Sequence, residues 1–148
     1  MNTESKWEPR GAFYLVDLPG VGFAKVPRHI RQQWLGFMRQ YIYERATLRV
    51  VFHLVDSRLG PVEQDEAVMA LMAGAPPTVT YVIVLTKADK RESPRVLRDT
   101  LTSIEAKLVA AGCSKDVPVL LTSSENRLGR DHMWRYLRLA ADPGAFRR

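Results

Sequence analysis

Four short apolar runs, each closed by a polar loop and separated from the next by residues of helical period, leave this chain few folds. The runs are Ala12-Phe13-Tyr14-Leu15-Val16, Val50 to Val55, Tyr81 to Leu85 and Val117 to Leu121. They have the length and β-branched content of strands buried on both faces. From Arg28 to Ala46, Ile30, Trp34, Phe37 and Tyr41 recur at helical spacing with Met38 and Ile42 beside them, while Arg31, Arg39 and Glu44 occupy the other side. Gly60-Pro61 opens a second helix whose apolar face is Val68, Leu71 and Met72, and Gly74 with Pro76-Pro77 ends it. A third, from about Pro94 to Ala111, carries Leu97, Leu101, Ile104 and Leu108, with Gly112 as its C-terminal cap. Asn126 to Gly129 turns into a final helix bearing Trp134, Leu137 and Ala141. This alternation predicts an α/β domain with a parallel sheet and right-handed crossovers. Trp34 and Trp134 are expected to anchor its core.

In such a sheet ligands bind at the carboxyl ends of the strands, so the loops there carry the functional reading. Thr86-Lys87-Ala88-Asp89 follows the strand at Leu85. A carboxylate at Asp89 can accept two hydrogen bonds from the N1 and N2 donors of guanine, a donor pair that adenine lacks. The stem of Lys87 can lie along a purine ring while its ammonium reaches a neighbouring loop. Asp17-Leu18-Pro19-Gly20 follows the first run. Asp17 there can hold a metal-bound water, and Gly20 lets a backbone N–H approach a γ-phosphate with no side chain in the way. Thr122-Ser123-Ser124 follows the last run, with amides and hydroxyls that can meet guanine O6. Asp-x-x-Gly, Thr-Lys-x-Asp and Ser-Ser, in that order and each at a strand end, point together to a guanine nucleotide.

The 148 residues make one domain by length. A formal charge of +6, carried mostly by arginine, favours a polyanionic neighbour such as RNA. Arg28, Arg31, Arg39, Arg127, Arg130, Arg135 and Arg138 are the candidates to face phosphates. Cys113 stands alone, which excludes an internal disulfide and a cysteine-based metal site and fits a reducing compartment. His29, His53 and His132 lack metal-ligand spacing. No run has the length of a membrane-spanning helix, and Met1 to Arg10 lacks the pattern of a signal peptide. Arg45, Asp56, Arg58 and Asp65 read as a structural network pinning a helix to a strand end.

The run Asp17-Leu18-Pro19-Gly20 continues through Gly22-Phe23-Ala24-Lys25-Val26. With Trp34, Tyr41, Arg45, Leu48, Leu54-Val55-Asp56-Ser57-Arg58, Asp65, Thr86 to Lys90 and the serine pair, it resembles the EngB family of bacterial-type GTPases from about Ala12 to Leu139. The resemblance implies a P-loop NTPase (Ras-like) three-layer parallel sheet in which a central strand, the phosphate loop and the first helix fall before Met1. It divides the chain into a polar segment at 1–11, a partial G domain at 12–141 and a tail at 142–148. It implies GTP or GDP as ligand, Mg2+ as cofactor with Asp17 as an indirect ligand through water, and the large ribosomal subunit precursor or its rRNA as partner. It further implies a monomer in the cytoplasm, or in a plastid or mitochondrial matrix, without membrane association.

This sequence departs from that pattern in having no Gly-x-x-x-x-Gly-Lys-Ser/Thr loop and no switch I threonine, and in carrying Val21 after Asp-x-x-Gly. Asp89 to guanine contributes roughly 1.5–3 kcal/mol and each other base contact about 1 kcal/mol, whereas association costs on the order of 4–15 kcal/mol. Weak nucleotide binding by this chain is therefore expected. Hydrolysis is expected to be slow, because Val21 has no polar group to orient a water. Basic helices that hold RNA regardless of nucleotide are the alternative reading.

Overall fold

The computed structural model describes residues 13–18, 27–90 and 93–141. The elements run α1 (Arg28–Glu44), β1 (Val50–Asp56), α2 (Glu63–Ala73), β2 (Thr80–Thr86), α3 (Pro94–Ala110), β3 (Val119–Leu121) and α4 (Arg130–Ala141). The strands form a parallel sheet in the order β1-β2-β3. Val50 pairs with Thr80 through to Asp56 with Thr86, and Ile83 to Leu85 pair with Val119 to Leu121. This is the α/β arrangement that the alternating pattern predicts. Parallel pairing brings the polar ends of all three strands to one side.

Local chemistry starts and stops the helices. Pro27 precedes α1, and its carbonyl accepts the amides of Ile30 and Arg31. Ser93 Oγ accepts the Val96 amide at 3.4 Å, and Pro94 takes the first position of α3, where a missing N–H costs nothing. At the far end Gly112 adopts φ +84 and donates to Val109 O, while Cys113 donates to Leu108 O. Those two bonds are the Schellman pattern, as Gly112 predicts. Helix α2 begins at Glu63, later than Gly60-Pro61 suggests, because Asp65 Oδ2 accepts the Val62 amide at 2.7 Å and sets the first turn there.

The two faces of the sheet are covered unequally. On one, Tyr81, Ile83 and Leu85 of β2 join Val55 of β1 in a cluster with Met38 and Ile42 of α1, Val68, Met69 and Met72 of α2, and Ile104 and Leu108 of α3. Each fully buried side chain there contributes about 1.5–3 kcal/mol. The opposite face meets α4, where Tyr136 stands edge-on to Phe52 with ring centroids 6.3 Å apart. No residue of α4 is fully buried, and Leu54 of β1 remains 62% exposed.

Several sequence expectations are corrected. Residues 13–18 form no strand, and Phe13, Tyr14, Leu15 and Val16 are exposed. Among the described residues no strand pairs with them, and an apolar run without a hydrogen-bonding neighbour forms no ladder. Ala12 lies outside the described residues. Trp34 and Trp134 are half-buried and not core anchors, while Met38 and Ile42 carry the buried stripe of α1 and Phe37 is exposed. Arg31, expected on the solvent side, is half-buried. In α3 the stripe passes through Thr100, Ile104 and Leu108, which turns Leu101 outward. β3 starts at Val119, two residues later than expected, because Pro118 has no amide to give the ladder.

One polar chain crosses the larger core. The Tyr81 hydroxyl lies 2.7 Å from His53 Nδ1, and His53 Nε2 lies 2.9 Å from Asp65 Oδ1. Asp65 therefore links the first turn of α2 to the middle of β1 through a histidine, and not to a strand end through an arginine. His53 is 8% exposed, and both its ring nitrogens have partners.

Candidate functional site at the carboxyl end of the sheet

The register that aligns Asp56 with Thr86 and Leu85 with Leu121 also brings the three following loops together. Backbone bonds stitch them. Ser57 N–H donates to Thr86 O at 3.0 Å, Ala88 N–H to Thr122 O at 3.0 Å, and Thr122 N–H to Leu85 O at 2.8 Å. Thr86 Oγ1 donates to Val55 O, and Thr122 Oγ1 to Leu85 O. Lys87 adopts φ 56, a left-handed conformation rare for a residue with a side chain. Ala88 is buried behind it, and a short helical turn over Ala88–Lys90 presents Asp89 to solvent.

Asp89 is kept ionised by the neighbouring loop. Ser123 is 5% exposed, and its Oγ accepts the amides of Glu125 at 3.1 Å and Asn126 at 3.4 Å. A hydroxyl has two acceptor sites and one proton, so those amides leave its proton for the Asp89 carboxylate. That hydrogen bond is the largest cause holding the Asp89 carboxyl below the ordinary range, followed against it by desolvation. Gly129, at φ +75, lets the loop close, with Ser123 N–H donating to Leu128 O. A Cβ at Gly129 would stand 2.0 Å from Leu121 O.

A second set of charges abuts this loop. Arg58 grips Asp56 through Nε at 2.9 Å and an Nη at 2.7 Å, and its own amide donates to Asp56 Oδ1 at 3.0 Å. Lys87 Nζ adds a bond to Asp56 Oδ2 at 2.9 Å. The Arg58 guanidinium is the first of the causes that hold the Asp56 carboxyl far below the usual carboxylate range. Asp56 and Arg58 thus join a strand end to the Lys87 loop, and not to a helix as expected. Arg45 bonds Thr47 and lies over the Tyr41 ring, away from both. The signal for Asp56 was its place as the last residue of a buried strand, level with Thr86. What hid it was that the partner lies 31 positions away.

Of the residues proposed from sequence, Thr86, Lys87, Ala88, Asp89, Thr122 and Ser123 come together. Ser124 is exposed beside them. Leu18 packs against the core, and Asp17 is exposed. Among the described residues no hydrogen bond or ion pair joins Asp17 to the other two loops. Pro19 and Gly20 lie outside the described residues. Among the described residues no group of three or more His, Cys, Asp or Glu side chains is arranged to hold a metal ion. No helix among the described residues is long and apolar enough to cross a membrane.

Sheet order and loop placement define an α/β domain with a parallel sheet, consistent with part of a Ras-like fold. A solved structure of translation elongation factor SelB from Methanococcus maripaludis, in its apo form, superposes with a TM-score of 0.60 at 17% identity, covering 82% of this chain and 23% of that one. That likeness supports the fold. No family model matches the chain.

Among curated proteins the chain is 43% identical over 120 residues to the probable GTP-binding protein EngB of Hyphomonas neptunium, covering 80% of this chain and 53% of that protein. It is 38% identical over 134 residues to the protein of the same name from Desulforapulum autotrophicum, covering 90% and 65%. Over those residues the chain is similar to proteins named EngB. It spans about half of the length of the first of these relatives and just under two-thirds of the second.

Proposed function

We propose that the carboxyl end of this sheet is a guanine-binding site and that the chain acts as a GTP- or GDP-binding protein of the EngB type. The observation that supports this is the meeting of two loops distant in sequence. A buried Ser123 hydroxyl, with both acceptor sites filled by amides, favours the ionised form of the exposed Asp89 carboxylate. An exposed, ionised carboxylate is what the paired donors of guanine require. Asp17 is proposed to contact magnesium only through water, and Gly20 to meet the γ-phosphate. Assembly of the large ribosomal subunit is the proposed setting. The names of the relatives support the nucleotide and say nothing of that setting.

Titration of the protein with fluorescent GDP and ADP analogues tests the site. Guanine is expected to be preferred even if the affinity is low, and Asp89→Asn is expected to move the preference toward xanthine nucleotides. An unchanged base preference in Asp89→Asn would remove Asp89 from the site. The second reading, nucleotide-independent RNA binding, is favoured by the exposed guanidinium groups of Arg39, Arg130 and Arg135. It requires an RNA affinity that falls steeply with salt and ignores GTP.

A further inference from the structure

We infer that Asp56 is the positioning residue of the guanine loop, holding Lys87 in the conformation that presents Asp89. The inference rests on the guanine-site reading above and goes beyond it, since no base contact is assigned to Asp56 itself. Lys87 sits at φ 56, a backbone state that is unfavourable for a residue with a Cβ. Something must offset that cost. The loop supplies Ala88 N–H to Thr122 O and Lys90 N–H to Lys87 O, which orient the turn after Lys87. Among the described residues the lysine side chain is held by one bond, from Nζ to Asp56 Oδ2 at 2.9 Å.

Asp56 is itself immobilised before Lys87 reaches it. Three donors from Arg58, two of the guanidinium and one of the backbone, take up Oδ1 and share Oδ2. The carboxylate side chain is only 17% exposed, while the Arg58 and Lys87 side chains are 42% and 48% exposed. The anion is thus a fixed point in the protein, and the two cations are the groups free to shift. Ser57 N–H to Thr86 O ties the residue after Asp56 to the residue before Lys87, so both ends of the bridge are anchored in paired strands. A rigid acceptor of this kind converts a flexible lysine into a tether on its own backbone. The charge next door is also relevant: Arg58 lies near enough to Asp89 for its positive charge to favour the ionised carboxylate. Loss of the Asp56 charge therefore frees Lys87 and releases Arg58 to approach Asp89, where it competes with a base for the same oxygens.

The test is Asp56→Asn in the full chain, which keeps the size and removes the charge. Hydrogen exchange of the Ala88 and Lys90 amides is measured without nucleotide, and GDP against ADP analogue binding is measured beside it. Ile104→Val, a core change far from the loop, serves as a variant of comparable stability loss, and Glu66→Gln as a variant that removes an unrelated surface carboxylate. Asp56→Asn is expected to speed exchange of both amides and to cut the guanine preference by about three- to tenfold, the range for a charge-assisted bond between partly exposed groups. The two comparison variants are expected to leave both readouts at parent values. Exchange rates that stay at the parent level in Asp56→Asn, or a loosened loop with full guanine preference, overturn the inference. A parent protein without any guanine preference overturns the guanine-site reading instead. The exchange rates then still decide whether Asp56 holds the loop.

Discussion

Single residues here act through the partners that the fold assigns them, and Tyr81 shows how far that reaches. Its hydroxyl is buried against His53, and burial raises its pKa above the ordinary tyrosine value. The unfolded chain releases that proton near pH 10, whereas the folded protein keeps it to higher pH. Stability from this group is therefore intact below pH 10 and lost as pH rises beyond it. Tyr81→Phe is expected to cost about 1 kcal/mol at neutral pH, because His53 Nδ1 loses its partner. It is also expected to flatten the alkaline decline. Chemical denaturation between pH 8 and 11 checks both, and an equally steep decline in the variant rules out Tyr81 as its source. Asp56 has the opposite sign. Its folded pKa is depressed, so its contribution is present at neutral pH and disappears only as the solution becomes strongly acidic.

At the scale of the element, two glycines with similar backbone angles have unlike surroundings. Gly112 closes α3 at φ +84, and among the described residues a Cβ there would find only Ala73 Cβ, at 3.8 Å. Gly129 opens α4 at φ +75, and a Cβ there would meet Leu121 O at 2.0 Å and Thr122 Cγ2 at 2.9 Å. Gly112→Ala is expected to cost about 1 kcal/mol from backbone conformation alone. Gly129→Ala adds displacement of the end of β3 and should exceed 2 kcal/mol. Thermal unfolding of the two variants measures the difference. Equal losses would mean that the loop entering α4 yields easily and does not hold Ser123. The position of Gly129 was legible as a turn before a helix. Its closeness to the Leu121 carbonyl was not, because that depends on how β3 ends against the loop.

For the whole molecule, the asymmetry of the sheet dominates. β2 is buried on both faces, while β1 has a hydrogen-bonded neighbour on one side only among the described residues and carries the exposed Leu54. An exposed strand edge with an apolar side chain is a template for further pairing. Leu54→Lys is expected to lower aggregation, followed by light scattering during heating, while changing stability by no more than about 0.5 kcal/mol. A large loss of stability would show that Leu54 is covered in solution. Excess charge bears on the same behaviour, since a net +6 keeps copies apart at low salt and less so at high salt.

Periodicity determined much of this protein from sequence alone. Short continuous apolar runs and apolar residues repeating by 3.6 follow from backbone geometry, so three of the strands, the four helices and their parallel order could be read from the sequence. Asp89 and Ser123 could be named for the same reason, since each follows directly on a strand whose end is predictable. Tertiary structure decided what depends on a neighbour. Phe13 to Val16 has the composition of a strand but stays exposed, because pairing requires a second backbone that composition does not specify. Trp34 and Trp134 stand half-buried, because helical period identifies a face and not how deeply it is covered. The bridge from Asp56 to Lys87 joins residues 31 positions apart, and only the register of β1 on β2 brings their charges within bonding distance.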